Sequence, residues 1–388
     1  MSLSRIAVSA LALAAASFGV GFLSGQRGSR GGIDLDQARI RVGEAVAASG
    51  RLEQTALLVP ALEAMDPARA AALAQAFEEH FAGAAGGLPL ELFVESWARF
   101  DPQACRARIE SWPPDIQRQA WPALIRAWAR VDSKAAAARL EELPDVAMRW
   151  PALGALIEGW SASDQPGLWS YLSRLPDGDR RRELGSRAVA DRLRRSGADP
   201  LLRELDAIPE LAPGDSFRGE LLIAAVDAIA RADLPRAAAL VEAQRERGGH
   251  PEMLRVLALR WIESDAPGAL EWLRAQPAGA PRDGAMRHAY RRWLRSDPAR
   301  AEKWIAERIA DADFAAAVVA HAGALSLEEP ERARAFAQQI PDPVLRERSA
   351  GEIDAMERWR ERARAASRPP EPGGARPESP AQETPDHS

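Results

Sequence analysis

The chain has 388 residues with 51 basic against 56 acidic side chains, a net charge of −5, which excludes the basic excess that general nucleic-acid binding needs. Hydrophobic residues make up 46%, enough to bury a sizeable core. One cysteine, Cys105, excludes an intramolecular disulfide, while sparse Val and Ile and only 2 Tyr argue against strands.

From the amino terminus, residues 6–26 form an uncharged run just long enough to cross ~30 Å of hydrocarbon. Residues 1–31 read as an uncleaved signal-anchor and basic linker; a signal peptide cleaved after Ala16 is the alternative. Arg27 and Arg30 weigh against Arg5 under the positive-inside rule, and the expected orientation keeps the N-terminus inside and exports the rest. The expected location is the inner membrane with the remaining chain periplasmic, secretion after cleavage or a cytoplasmic-facing chain being the alternatives. Ser17, Gly21 and Gly25 fall at i, i+4, i+8, a small-residue face of the kind that pairs two anchors into a weak homodimer. Residues 32–61 read as a helical cap, with one helix in IDLDQARIRVGEAVAA and the first repeat opening in LEQTALLVPALEAM.

Residues 62–365 repeat one phrase. It appears as WARFDPQAC at Trp97, WARVDSKAA at Trp128, WSASDQPGL at Trp160, WIESDAPGA at Trp261 and WLRSDPARA at Trp293. With Leu62, Leu193, Ile229 and Leu325 filling the same slot, nine markers recur at steps of 31 to 36 residues. Repetition at that period signals a stack of small units. Four residues after the marker stands an acid: Asp66, Asp101, Asp132, Asp164, Asp233, Asp265, Asp297 and Glu329; the Leu193 copy has Gly197 there. Asp is a strong N-cap, and Pro, which follows directly at Pro67, Pro102, Pro298 and Pro330, suits the first helical position. Each acid therefore predicts a helix start. Four residues on comes a small residue (Ala70, Cys105, Ala136, Ala237, Ala269, Ala301, Ala333), then one turn later a large apolar one such as Ile109 or Leu140. A Pro twelve residues after the acid, as at Pro113, Pro144, Pro176, Pro277 and Pro341, predicts a following helix of about eleven residues.

Between that Pro and the next marker lies a leading helix rich in Ala, Leu and Arg. Pro122 and Pro151 fall inside it, implying either a later start or a kink. The fold class is all-α: an α-solenoid of about nine antiparallel hairpins, period ~32 residues, preceded by one N-terminal transmembrane or signal helix. Trp97, Trp128, Trp160, Trp261 and Trp293 are its expected core. A buried Trp removes roughly 150–250 Å² from water, worth about 4–6 kcal/mol as an upper bound, and no single repeat covers its own indole. Residues 83–87, GAAGG, read as a loop. Residues 206–217 read as a loop insertion, a hinge between Trp-rich halves being the alternative. The Pro-rich tail, residues 366–388, is expected to be disordered.

No catalytic constellation emerges. His80, His250, His288, His321 and His387 lack partners at metal-ligand spacing, and the glycine-rich phosphate and nucleotide motifs are missing. His321 reads as a core helix residue, and Cys105, in the small-residue slot, as a buried unreactive thiol. The Asp series as a cation- or peptide-binding edge and the Trp series as a glycan ladder are the sharper alternatives to capping and core. No catalytic residue, cofactor or metal is expected.

The W-x3-D-P-x2-A hairpin resembles the repeat of uncharacterised bacterial helical-repeat proteins that are membrane-anchored or exported, and is loosely similar to tetratricopeptide and HEAT-type solenoids. Its period departs from the tetratricopeptide one, and that family's carboxylate clamp does not transfer. The resemblance implies a non-enzymatic binding scaffold for an unidentified protein or peptide. Other classes are an exported catalytic or glycan-processing helical toroid and a structural envelope spacer.

Overall fold

The computed structural model describes residues 35–63, 65–81, 87–143, 145–208, 216–247 and 249–366. The anchor segment with Ser17, Gly21 and Gly25, residues 83–86 of the expected loop, residues 209–215 of the expected insertion and the tail beyond 366 lie outside the described residues. Among the described residues there are twenty α-helices and no strand: the protein is all-α. The chain divides into two compact units, one reaching to Leu168 and the other beginning at Trp169.

In the first unit α1 (Leu35–Ala47) precedes the leading helices α2 (Arg51–Glu63), α4 (Leu88–Ala98), α6 (Pro114–Val131) and α8 (Val146–Ser161). Between them stand the following helices α3 (Pro67–Glu78), α5 (Pro102–Ile109) and α7 (Ser133–Glu141). Helix α9 (Leu168–Ser173) carries the chain into the second unit. There the leading helices are α10 (Asp179–Ser196), α12 (Phe217–Ala230), α14 (Glu252–Trp261), α16 (Ala280–Ser296), α18 (Ala315–Leu325) and α20 (Pro343–Ala366). The following helices are α11 (Ala198–Asp206), α13 (Leu234–Glu246), α15 (Ala266–Arg274), α17 (Pro298–Ala306) and α19 (Pro330–Gln338). Within each unit every leading helix packs on the next leading helix, and the following helices lie against the leading ones in a second layer.

At five hairpins one acid bonds both helices. The Asp132 amide donates to the Trp128 carbonyl at 2.8 Å and ends α6; its carboxylate accepts the Ala135 amide at 3.0 Å and starts α7. Asp101, Asp233, Asp265 and Asp297 do the same, accepting from Ala104, Arg236, Gly268 and Arg300. All five share one backbone conformation, φ between −144° and −149° and ψ between 77° and 89°. Asp66 caps α3 through Arg69 at 2.8 Å from a more extended conformation. Gly197 turns its hairpin without a side chain: its amide reaches Leu193 at 2.9 Å with φ at 82°, a conformation glycine adopts without a Cβ penalty. Glu329, one methylene longer, makes the backbone bond to Leu325 but no cap, its carboxylate pairing with Arg332 instead.

Past Trp160 the following helix is delayed, α9 starting only at Leu168, four residues beyond Asp164. The Trp160 indole N–H donates to the Gln165 carbonyl at 3.1 Å, and the Gln165 amide donates to the Ser163 hydroxyl at 3.2 Å. These bonds hold the segment out of helical register, and Gly167 takes φ 100° to recover direction.

The hairpin turn sets the core. Ala70, Cys105, Ala136, Ala237, Ala269, Ala301 and Ala333 are all fully buried, and Ile109, Leu140, Leu172, Leu273 and Ile305 one turn on are buried too. The indoles of Trp97, Trp128, Trp160 and Trp293 are each at most 4% exposed. Trp261 is only half-buried, and the ring of Trp272, also half-buried, stands 5.8 Å from it, centroid to centroid. Leading helices run straight through Pro122 and Pro151, neither of which marks a helix start. Pro151 is exposed and Pro122 half-buried. Most following helices have 8 or 9 residues, not eleven. Their last turn tightens into three-residue bonds, as from Trp112 to Ile109, before a Pro that disfavours helix in the residue preceding it.

Close approach fixes Gly159 in α8, where an added methyl would fall 2.2 Å from the Arg126 carbonyl oxygen of α6. Gly284 in α16 has open space around it. Gly159→Ala should therefore destabilise by about 1–3 kcal/mol, while Gly284→Ala should stabilise by about 0.5–1 kcal/mol. Urea denaturation of the two variants checks both signs.

Candidate interaction face

A helix turns about 100° per residue, so positions two before and two after a core marker lie roughly opposite the core, on one i, i+4 ridge. In the first unit this ridge carries Glu95 and Arg99 on α4, Arg126 and Arg130 on α6, and Glu158 on α8. Arg126 ties the three helices together, its guanidinium hydrogen-bonding Glu95 on one side and, through Nε at 3.1 Å, Glu158 on the other. Arg130 adds a second contact to Glu95 at 3.7 Å. Burial opposes the Arg126 charge, but the carboxylates of Glu95 and Glu158 outweigh it and raise its pKa. Arg99 has the opposite balance: burial and then the neighbouring Arg130 lower its pKa, with Glu95 only partly compensating.

The second unit builds the same ridge with other pairs. Asp227 on α12 accepts from Arg260 on α14 and from Arg231, each at 2.5 Å. The Asp227 hydrogen bond, working against burial, raises the Arg260 pKa. Glu263 then receives Arg292 of α16 at 3.5 Å. Such half-exposed pairs add little stability singly but set the register between helices.

Beneath the ridge lies a polar pair in the core of the second unit. The Tyr290 hydroxyl donates to the Ala301 carbonyl at 3.3 Å and sits 2.9 Å from His321 Nδ1. Burial raises the phenol pKa and, with Arg332 contributing, lowers that of His321 to about 4. Cys105 donates its thiol to the Val94 carbonyl at 3.9 Å, and burial, then Asp101, pushes its pKa well above the usual thiol value. Among the described residues no three His, Cys, Asp or Glu side chains converge on a metal-sized site. No helix among them is long and apolar enough to cross a membrane.

Of the residues singled out from sequence, Trp97, Trp128, Trp160 and Trp293 point inward, while Asp66, Asp101, Asp132, Asp233, Asp265 and Asp297 spend their carboxylates on helix amides. None of them faces a shared cleft. Sequence reasoning missed the ridge two residues either side of the marker, although Glu95, Arg126 and Glu158 stand at equivalent repeat positions and the alternation of sign was readable. No protein-family model, no curated protein and no solved structure matches this chain.

His321 predicts an acid-sensitive second unit. An unfolded imidazole titrates near 6.5 and the folded one near 4, so between these values the unfolded chain holds a proton that the folded chain excludes. Stability should fall by about 3 kcal/mol as pH drops through that window and level off below it. Urea midpoints measured from pH 7 to 4 should show this decline in the natural chain and a flatter profile in His321→Leu; parallel profiles would contradict the assignment.

Proposed function

We propose that this chain is a membrane-tethered α-solenoid of about nine hairpins that holds another protein or a peptide on the open face of its leading helices, without catalysing a reaction. The observation that supports this reading is the recurrence of one charged ridge on successive leading helices, tied across the helices by Arg126 and Arg260. Repeat arrays present extended surfaces of this kind, and charge patterns on them select partners and speed encounter. It is the architecture of the bacterial membrane-anchored helical-repeat proteins that the W-x3-D-P-x2-A phrase resembles. The uncharged run of residues 6–26 supplies the tether and places the repeats on the periplasmic side of the inner membrane.

Two measurements test it. Photo-crosslinkers placed at Arg130 and Arg231 in membrane-bound chain should trap a distinct protein or peptide adduct, whereas none above background at either position would contradict the scaffold. Alkaline phosphatase fused after Pro341 should be active in cells, and an inactive fusion beside an active cytoplasmic reporter would reverse the topology.

A further inference from the structure

At the carboxyl-terminal end of the second unit the open face changes character. The ridge of α16 is made of three arginines at four-residue spacing: Arg287, Arg291 and Arg295. On α18 the equivalent positions are Val319 and Gly323, both buried, followed just past the helix by the exposed Leu327, and α20 adds the exposed Trp359. These three helices pack in that order. Arg291 reaches Glu352 of α20 at 2.7 Å across the bare backbone of Gly323, where an added methyl would fall 2.6 Å from Glu352 Cγ. Arg287 and Arg295 have no acidic partner among the described residues. Next to Trp359 in the chain, Arg360 donates to the Leu327 carbonyl at 3.2 Å, which ties the end of α20 to the segment after α18. Leu327 is 38% exposed and Trp359 55% exposed. At the same repeat position the preceding helices carry Arg195, Arg231, Glu263 and Arg295, so the change to apolar side chains is local.

We propose that this face of α16, α18 and α20 binds an extended acidic peptide, which lays carboxylates along Arg287 and Arg295 and an apolar side chain against Leu327 and Trp359. The proposal rests on the scaffold reading above and names the surface and the chemistry of its partner. Guanidiniums form paired hydrogen bonds to carboxylates, and the uncompensated charge of Arg287 and Arg295 supplies the complementarity. An exposed Trp is the kind of anchor that buries one large apolar residue of a partner. Helices ~8–10 Å apart place Arg295 and Trp359 roughly 16–20 Å from each other. Five or six residues of extended chain, at about 3.3 Å each, cover that span.

The test is selection of a random octapeptide display library on the full-length chain in detergent, followed by fluorescence anisotropy with the most enriched peptide. Enrichment of peptides with two or more Asp or Glu and an apolar residue four to six positions away is expected. The double variant Arg287→Glu/Arg295→Glu and the single variant Trp359→Ser should each weaken binding by at least about tenfold, with unchanged circular dichroism. Trp359→Phe should retain most of the affinity. Peptides without acidic residues, or an affinity that both variants leave intact, would overturn the assignment of this face while leaving a binding scaffold in place. No enrichment at all, alongside a crosslinked partner at Arg130 or Arg231, would have the same meaning. Co-sedimentation with phosphatidylglycerol vesicles that the same variants abolish, without any peptide binding, would replace the peptide by a lipid surface.

Discussion

The constraint that recurs through this fold is one acid doing two jobs at a hairpin, at Asp101, Asp132, Asp233, Asp265 and Asp297. The acid's amide bonds the carbonyl of the marker four residues before it and closes the leading helix. Its carboxylate bonds an amide three residues ahead and opens the following helix. Five of these turns share φ and ψ within a narrow range, whether one residue separates the two helices, as at Asp132 and Asp297, or three or four, as at Asp101, Asp233 and Asp265. The small residue four places on then comes to the interface fully buried, and the marker side chain is driven against the neighbouring hairpin. Capping is worth about 1 kcal/mol at each site, modest singly, but the geometry it imposes is repeated along each unit.

Fixing the marker inward fixes the open face as well. Residues two before and two after it must look away from the core, so each leading helix contributes one ridge of the same surface. Along the first unit the ridge alternates in sign and ties itself together through Arg126; along the second it passes from paired charges near Asp227 to unpaired arginines and exposed apolar groups near the carboxyl-terminal end. In the core beneath, the Tyr290 hydroxyl is held by the Ala301 carbonyl.

The helical hairpins were legible because their signals are local: an Asp beside a Pro, a small residue one turn later, a Pro to stop the helix. What was not legible depended on tertiary competition. Nothing in the phrase at Trp160 reveals that its indole bonds the Gln165 carbonyl and that α9 starts only at Leu168, since the closely similar phrase at Trp261 starts its helix directly after Asp265. Trp261 stays half-buried beside Trp272, a residue outside the repeated phrase. Pro122 and Pro151 look like helix boundaries by propensity, yet packing carries α6 and α8 through them. The ridge pairs were visible in principle as charges at equal repeat positions, but their meaning required knowing which side of the helix faced solvent.

The dual role of the acid is open to one direct measurement, a comparison of Asp132→Ala, Asp132→Asn and Asp132→Ser by urea denaturation. Asn and Ser also accept a bond from the Ala135 amide, whereas Ala leaves it unsatisfied. Capping predicts that Ala loses about 0.5–2 kcal/mol while Asn and Ser recover most of it. Three variants equally destabilised, or none destabilised at all, would mean that the carboxylate has some purpose other than starting the helix, and the turn geometry would need a different cause.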